Sequence, residues 1–266
     1  MNELMIHSSL PVPELARLQQ VKSVSIQVAE CLQFFGVASV AAWRQQYARP
    51  VAAFRASAKV ARRAGAIAAW LRQGEREAEA VVCEPFDEGG FRDALETLRG
   101  LTRQTDPAVF APQLTELCAA HGIAVVFVPT PRGCPASGAT RWLSPDKALL
   151  QLSLRYKTND HLWFTVFHEA GHLLLHGKRL MFIEGTESVS ADHEAEADRF
   201  ARDLLIPPSE AKALRGVVRT HAGVRAFAER VGVAPGIVVG RMQKEGIVDW
   251  SQLNALKVHY AWPASS

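Results

Sequence analysis

The stretch His161-Leu162-Trp163-Phe164-Thr165-Val166-Phe167-His168-Glu169-Ala170-Gly171-His172-Leu173-Leu174-Leu175-His176 decides the reading of this 266-residue chain. Its apolar residues fall on almost every side of a helical wheel, the pattern of a helix inside a protein rather than on its surface. Such a helix is expected to stop near Gly177, where glycine can take the left-handed capping conformation. Within it, His168, Glu169 and His172 stand in H-E-x-x-H spacing. Helical residues four apart share a face with about 6 Å of rise, so two imidazoles can converge on one ion at about 2.0–2.1 Å each. Glu169 is offset by one residue, which sets its carboxylate beside such an ion and within reach of a water molecule. Two imidazoles and a carboxylate inside an apolar helix need partners to offset their desolvation, and a metal supplies them together.

Working outward toward the C-terminus, a polar loop containing Gly185 leads to a second helix over residues 192–205, stopped by Pro207 and Pro208. A catalytic zinc usually takes a third protein ligand, for which His176, His193, Glu194 and Glu196 are the candidates. His176 lies eight residues from His168, about 12 Å in rise, too far to share one ion on a regular helix, and is read as capping or packing the helix end. In the second helix the stripe Ala197, Phe200, Ala201, Leu204, Leu205 marks the buried face, whose centre falls nearer Glu194 than Glu196. Glu194 is therefore the expected ligand and Glu196 the alternative, since about 200° on the helical wheel separates them and both cannot bind one ion. Asp198 lies on the same side as Glu194 and can accept a hydrogen bond from the outer nitrogen of a ligating histidine. The ligand types suit zinc, with manganese as the alternative.

Toward the N-terminus, a helix over 112–120 leads into the Val/Ile/Phe run 123–128, read as a buried strand. Residues 139–143 and 148–154 flank Ser144-Pro145-Asp146-Lys147, a turn between antiparallel strands. The fold class is α+β with a small mixed sheet, divided into a helical N-terminal region (1–100), a central domain (101–208) and a helical C-terminal region (209–266). In the first region, breaks are expected at Gly36, Pro50, Gly74 and 85–90, and Lys59, Arg62, Arg63 and Arg72 form a basic face read as solvated surface. In the last, Phe227–Gly246 has the outline of a helix-turn-helix, with Arg241 and Lys244 placed to meet phosphate. Few base-reading side chains lie on its second helix, so the competing reading is a helix pair that covers the core.

The composition, 48% hydrophobic and 21% charged, is that of an ordinary globular protein, and the net charge of +3 is poor evidence for nucleic-acid binding. With no signal-type leader and no run of about 18 apolar residues, the expected location is the cytoplasm, away from membranes. Cys31, Cys83, Cys118 and Cys134 form no C-x-x-C pair and are expected to be reduced and mostly buried.

From Leu152 to Pro207 the sequence resembles the ImmA/IrrE family of zinc metallopeptidases. The resemblance is carried by residues 164–176, which include the H-E-x-x-H motif, and by 194–207, Glu194-Ala195-Glu196-Ala197-Asp198-Arg199-Phe200 through Pro207. It implies a zincin-like, thermolysin-like core in which Glu194 completes the metal site and Asp198 supports it. It also implies a mechanism in which Glu169 activates water against a peptide carbonyl polarised by the metal. Tyr156 or His161 would then be side-chain donors to the oxyanion, and the strand over 148–154 would offer an edge to an extended substrate. Family members cleave or inactivate helix-turn-helix repressors in stress-response or mobile-element circuits, so the implied partner is an XRE-type repressor or antitoxin. The flanks resemble HigA/XRE-type antitoxin fusions, although residues 1–100 lack an evident N-terminal helix-turn-helix. The competing functional reading is a DNA-binding or protein-binding regulator with a metal-stabilised, non-hydrolytic peptidase fold.

Overall fold

The computed structural model describes residues 4–5, 24–48, 58–177, 182–183 and 191–262. In chain order these form β1 (Leu4–Met5), α1 (Val24–Phe35), α2 (Val40–Trp43), α3 (Ala58–Glu79), α4 (Glu88–Leu101) and α5 (Pro107–Ala119). Strands β2 (Ile123–Phe127), β3 (Gly138–Ser144) and β4 (Lys147–Leu152) precede the long helix α6 (Asn159–Leu175) and the short strand β5 (Phe182–Ile183). Helices α7 (Ala191–Leu205), α8 (Pro208–Leu214), α9 (His221–Val231) and α10 (Pro235–Lys244) follow, then β6 (Tyr260–Ala261), which pairs with β1. The fold is α+β.

The central sheet has the order β2-β4-β3-β5, with β2 and β4 parallel and β3 antiparallel to both of its neighbours. The hairpin between β3 and β4 turns at Pro145 and Asp146, where the Asp146 N–H donates to Ser144 Oγ at 3.2 Å. One expectation is corrected here. Strand β4 carries no exposed edge for a peptide, because β2 and β3 take up its two sides.

Alternation along β2 explains its dense apolar sequence. Ile123, Val125 and Phe127 join the core shared with α5 and α6, whereas Ala124, Val126 and Val128 pack with Ile67, Trp70 and Leu71 of α3 on the other face. A strand covered on both faces needs apolar residues at every position. Helix α3 runs through Gly74 without the expected break, because Gly74 is pressed against the sheet. A Cβ there would come within 2.0 Å of Gln151 Oε1, and Gln151 Nε2 donates to Trp70 O at 2.7 Å. The expected break at Gly36 does occur, with φ +63° just after α1. Pro50 and Gly185 lie outside the described residues, as do the side chains of Lys59, Arg62 and Arg63. Arg72 is used internally, donating to Phe34 O at 3.0 Å and pairing with Glu75 at 3.0 Å.

The C-terminal helix pair turns inward. Gly232 takes the left-handed conformation (φ 75°) to end α9, and Pro235 starts α10, whose Ile237, Val238, Val239 and Met242 are buried against the core that includes α6. Burying each contributes roughly 1.5–3 kcal/mol, in keeping with the reading of this pair as a cover over the core. The start of α6 is tied down by a distant segment. The Asn159 N–H donates to Val258 O at 2.9 Å, the Val258 N–H returns to Asn159 Oδ1 at 3.1 Å, and Lys257 Nζ meets Asp160 Oδ2 at 2.7 Å.

All four cysteines are free: Cys118 is buried, Cys83 and Cys134 are half-buried and Cys31 is exposed, so full burial holds for one thiol. Burial pushes the Cys118 thiol up to about 12 and the Cys134 thiol up to about 11, which leaves both inert. Among the described residues no helix is long and apolar enough to cross a membrane.

Candidate metal centre

Helix α6 is buried along almost its whole length, with His168, Glu169 and His172 at 1%, 0% and 1% exposure. Ionisable groups this deep must be matched by partners, and α7 brings them. Ala197, Ala201 and Leu205 are the buried residues of α7, and this face sets Glu194 over the two imidazoles. His168 Nε2 and His172 Nε2 lie 3.0 Å apart, and Glu194 places Oε2 3.4 Å from the first and Oε1 3.6 Å from the second. At a tetrahedral ion with bonds of 2.0–2.1 Å, donor atoms stand about 3.3 Å apart, so the three donors already have the spacing of ligands to one zinc. They form the one cluster of this kind among the described residues.

The electrostatics agree with that spacing. Burial opposes the charge of Glu194, but hydrogen bonds from His168 and His172 overcome it and hold the carboxyl at about 2. Burial lowers the pKa of His172, against the opposing pull of Glu194, which favours the neutral ring that a metal requires.

Behind the cluster each imidazole has a second partner. His168 Nδ1 lies 2.9 Å from Asp198 Oδ1, as the helical wheel of α7 predicts. His172 Nδ1 lies 3.0 Å from His176 Nδ1, and His176 Nε2 lies 3.0 Å from Glu196 Oε2. Ligation through Nε2 puts the proton of each ligand on Nδ1. His168 then donates to Asp198, while His172 donates to His176, which donates in turn to Glu196. Glu196 is thus engaged by His176, and the carboxylate that meets the two imidazoles is that of Glu194. The His193 ring lies beside that of His176, tilted by 44°, with centroids 4.3 Å apart.

Sequence reasoning read His176 only as capping or packing the helix end and missed its contact with His172. The available signal was the third histidine at another spacing of four. The conformation that exploits it is local: α6 ends at Leu175, and His176 itself turns extended (φ −119°, ψ 148°) in place of a left-handed Gly177.

Glu169 is seated between α6 and β3. A Cβ on Gly138 would approach Glu169 Oε1 to 2.7 Å and Thr165 Cγ2 to 2.5 Å, so a glycine is required where the strand crosses the carboxylate. Tyr156 and His161 stack on one another, with centroids 4.2 Å apart. His161 stands about two turns before His168, some 10 Å along the axis, and flanks the cluster without joining it.

Residues 118–243 match the family model of the IrrE N-terminal-like domain, a family of M78 peptidases. Through this segment the chain is similar to that family. The IrrE-like segment runs from the last two residues of α5 to the end of α10, so it takes in the sheet, both site helices and the inward-turned C-terminal pair. No curated protein matches the chain. The family indicates a metallopeptidase-like activity, and His168, His172 and Glu194 are the residues that fit a metal within it.

Proposed function

We propose that this chain is a zinc-dependent endopeptidase with a zincin-like core, acting in the cytoplasm on a helix-turn-helix repressor or antitoxin of a stress-response or mobile-element circuit. The observation that carries the reading is the convergence of His168, His172 and Glu194 at ligand spacing, with a buried carboxylate one residue along the same helix. The match of residues 118–243 to the IrrE-like family model supports the peptidase class, and the resemblance carried by residues 164–176 and 194–207 supports the repressor as target.

His168 and His172 from α6 and Glu194 from α7 would hold the ion. When bound, zinc would supply Lewis-acid polarisation of a peptide carbonyl and make water acidic enough to be activated near neutral pH. Glu169 would take a proton from a water molecule and return it to the leaving amine, a role suited to a carboxylate sealed from bulk solvent beneath Gly138. Asp198 and the His176–Glu196 pair keep the protons of the two imidazoles on Nδ1 and their rings in place. Tyr156 and His161 belong in this reading to the approach to the site.

Glu169→Gln tests the proposal. It should retain about one zinc per chain while cleavage of a repressor substrate falls by about 10²–10⁴-fold. Cleavage persisting at the parent rate in the zinc-loaded variant would overturn it.

A further inference from the structure

Beside the start of α6 lies a recess lined by Ser137, Ser153, Arg155, Lys157, Thr158 and Thr165, with His161 and Tyr156 on one wall. Two routes join it to Glu169. Ser137 directly precedes Gly138, the residue under which Glu169 sits, and Thr165 is one helical turn before Glu169 and meets the same missing Cβ. Anything held in the recess therefore lies within about two residues of extended peptide from the carboxylate.

Leu154 and Leu162 give the recess an apolar part, and its mouth is cationic and polar. Arg155 and Lys157 are exposed at its mouth, and neither forms an ion pair with a carboxylate among the described residues. The nearby acid, Asp160, is already matched by Lys257 at 2.7 Å. Arg155 is held in place by donating to Pro135 O and by lying 4.9 Å over the Tyr156 ring, which in turn stacks on His161. Only part of its five-donor fork is used this way. Thr158, the N-cap of α6, makes no side-chain capping bond. Its Oγ1 is buried without a hydrogen-bond partner where the residue lines the recess, with only 9% of the residue exposed. A buried hydroxyl left unsatisfied is destabilising, and a ligand oxygen would relieve that cost. The positive end of the α6 dipole points the same way. The free volume is about 10 Å³, room for about one water-sized atom, so a carboxylate would seat a single oxygen beside Thr158 and keep the rest of its charge at the mouth, with Arg155 and Lys157.

We propose that this recess is the subsite for an acidic side chain of the peptide substrate, set about two residues from the scissile bond, with Thr158, Arg155 and Lys157 as its recognition groups. The proposal rests on the peptidase reading for the direction in which the peptide runs, and on the recess itself for the carboxylate.

The test uses short synthetic peptide libraries in which each position in turn is Asp, Glu, Asn or Gln. Binding is measured to the zinc-loaded Glu169→Gln protein, and cleavage to the zinc-loaded parent. At one position Asp or Glu should bind about tenfold more tightly than its amide. In Arg155→Gln/Lys157→Asn the ratio should fall to near one, and in Thr158→Val it should fall part-way. The asparagine is chosen because Lys157 has φ 56°, a conformation that residue tolerates. A ratio near one at every position, or one unchanged in the double variant, overturns the subsite whether or not the parent cuts. An acidic preference in binding, with no cleavage by the parent, keeps the subsite and overturns the peptidase reading instead.

Discussion

His168 rests its outer nitrogen on Asp198 in one step of 2.9 Å, whereas His172 reaches a carboxylate only in two, through His176 to Glu196 at 3.0 Å each. The first arm puts a full negative charge against the ligating ring, which strengthens both its hydrogen bond and its donation to a metal. The second presents a neutral imidazole, with the charge one ring further off, where Coulombic influence has fallen. Both arms end on half-exposed carboxylates of α7, so one helix supplies the third donor and both outer anchors. The difference teaches that the His168 arm depends chiefly on charge and the His172 arm chiefly on position.

The largest expected effect removes what the arms share. Glu194→Ala should lose stoichiometric zinc, read by mass spectrometry of the purified chain, and full retention would show that the arms and imidazoles suffice without it. Next, Asp198→Ala should weaken zinc binding by about 10–100-fold in a chelator competition. His176→Leu should weaken it by about tenfold, the lower end of that range, because the acceptor it removes is uncharged. Equal losses would break the distinction between the arms. Smaller still, Glu196→Gln should cost about threefold, and nothing further in the His176→Leu background, since the carboxylate acts only through that ring. An additive loss would mean that Glu196 reaches the site by another path.

The smallest effect concerns acid stability without metal. The folded carboxyl of Glu194, at about 2, lies below its ordinary value of 4.5. Its stabilising contribution is therefore complete above about pH 4.5 and lost as pH falls toward 2. Glu194→Gln should flatten the dependence of apo-protein stability on pH in that window, as read by denaturant titration. An unchanged slope would mean that the carboxylate is not held by the imidazoles in the metal-free protein.

The one-step arm was legible in the sequence and the two-step arm was not, for a physical reason. Helical periodicity places Glu194 and Asp198 on one side of α7 and His168 and His172 on one side of α6, and rigid helices need nothing more. His176 lies where α6 has ended, and the extended backbone that swings its ring onto His172 has no periodic signature. The same limit explains Gly74 and β4. A glycine marks a break or a close approach equally well in sequence, and only the neighbouring Gln151 decides between them. The hairpin turn located β3 and β4, but the parallel pairing of β2 with β4 is a non-local choice that closes the edge the hairpin alone leaves open.

The tether between Asn159 and Val258 orders events in time as well as in space. As the chain leaves the ribosome, α6 and α7 can coil and meet once residue 205 is free. The first turn of α6 then waits for a partner almost a hundred residues downstream. Until residues 257 and 258 arrive, Asp160 has no counter-charge and Asn159 no backbone to grip, so the helix bearing both imidazoles stays frayed at the end nearest the cationic recess. A newly made chain would thus gain its metal-binding geometry before the approach to it is rigid, and the arrival of residues 257 and 258 would set the moment at which the site becomes selective.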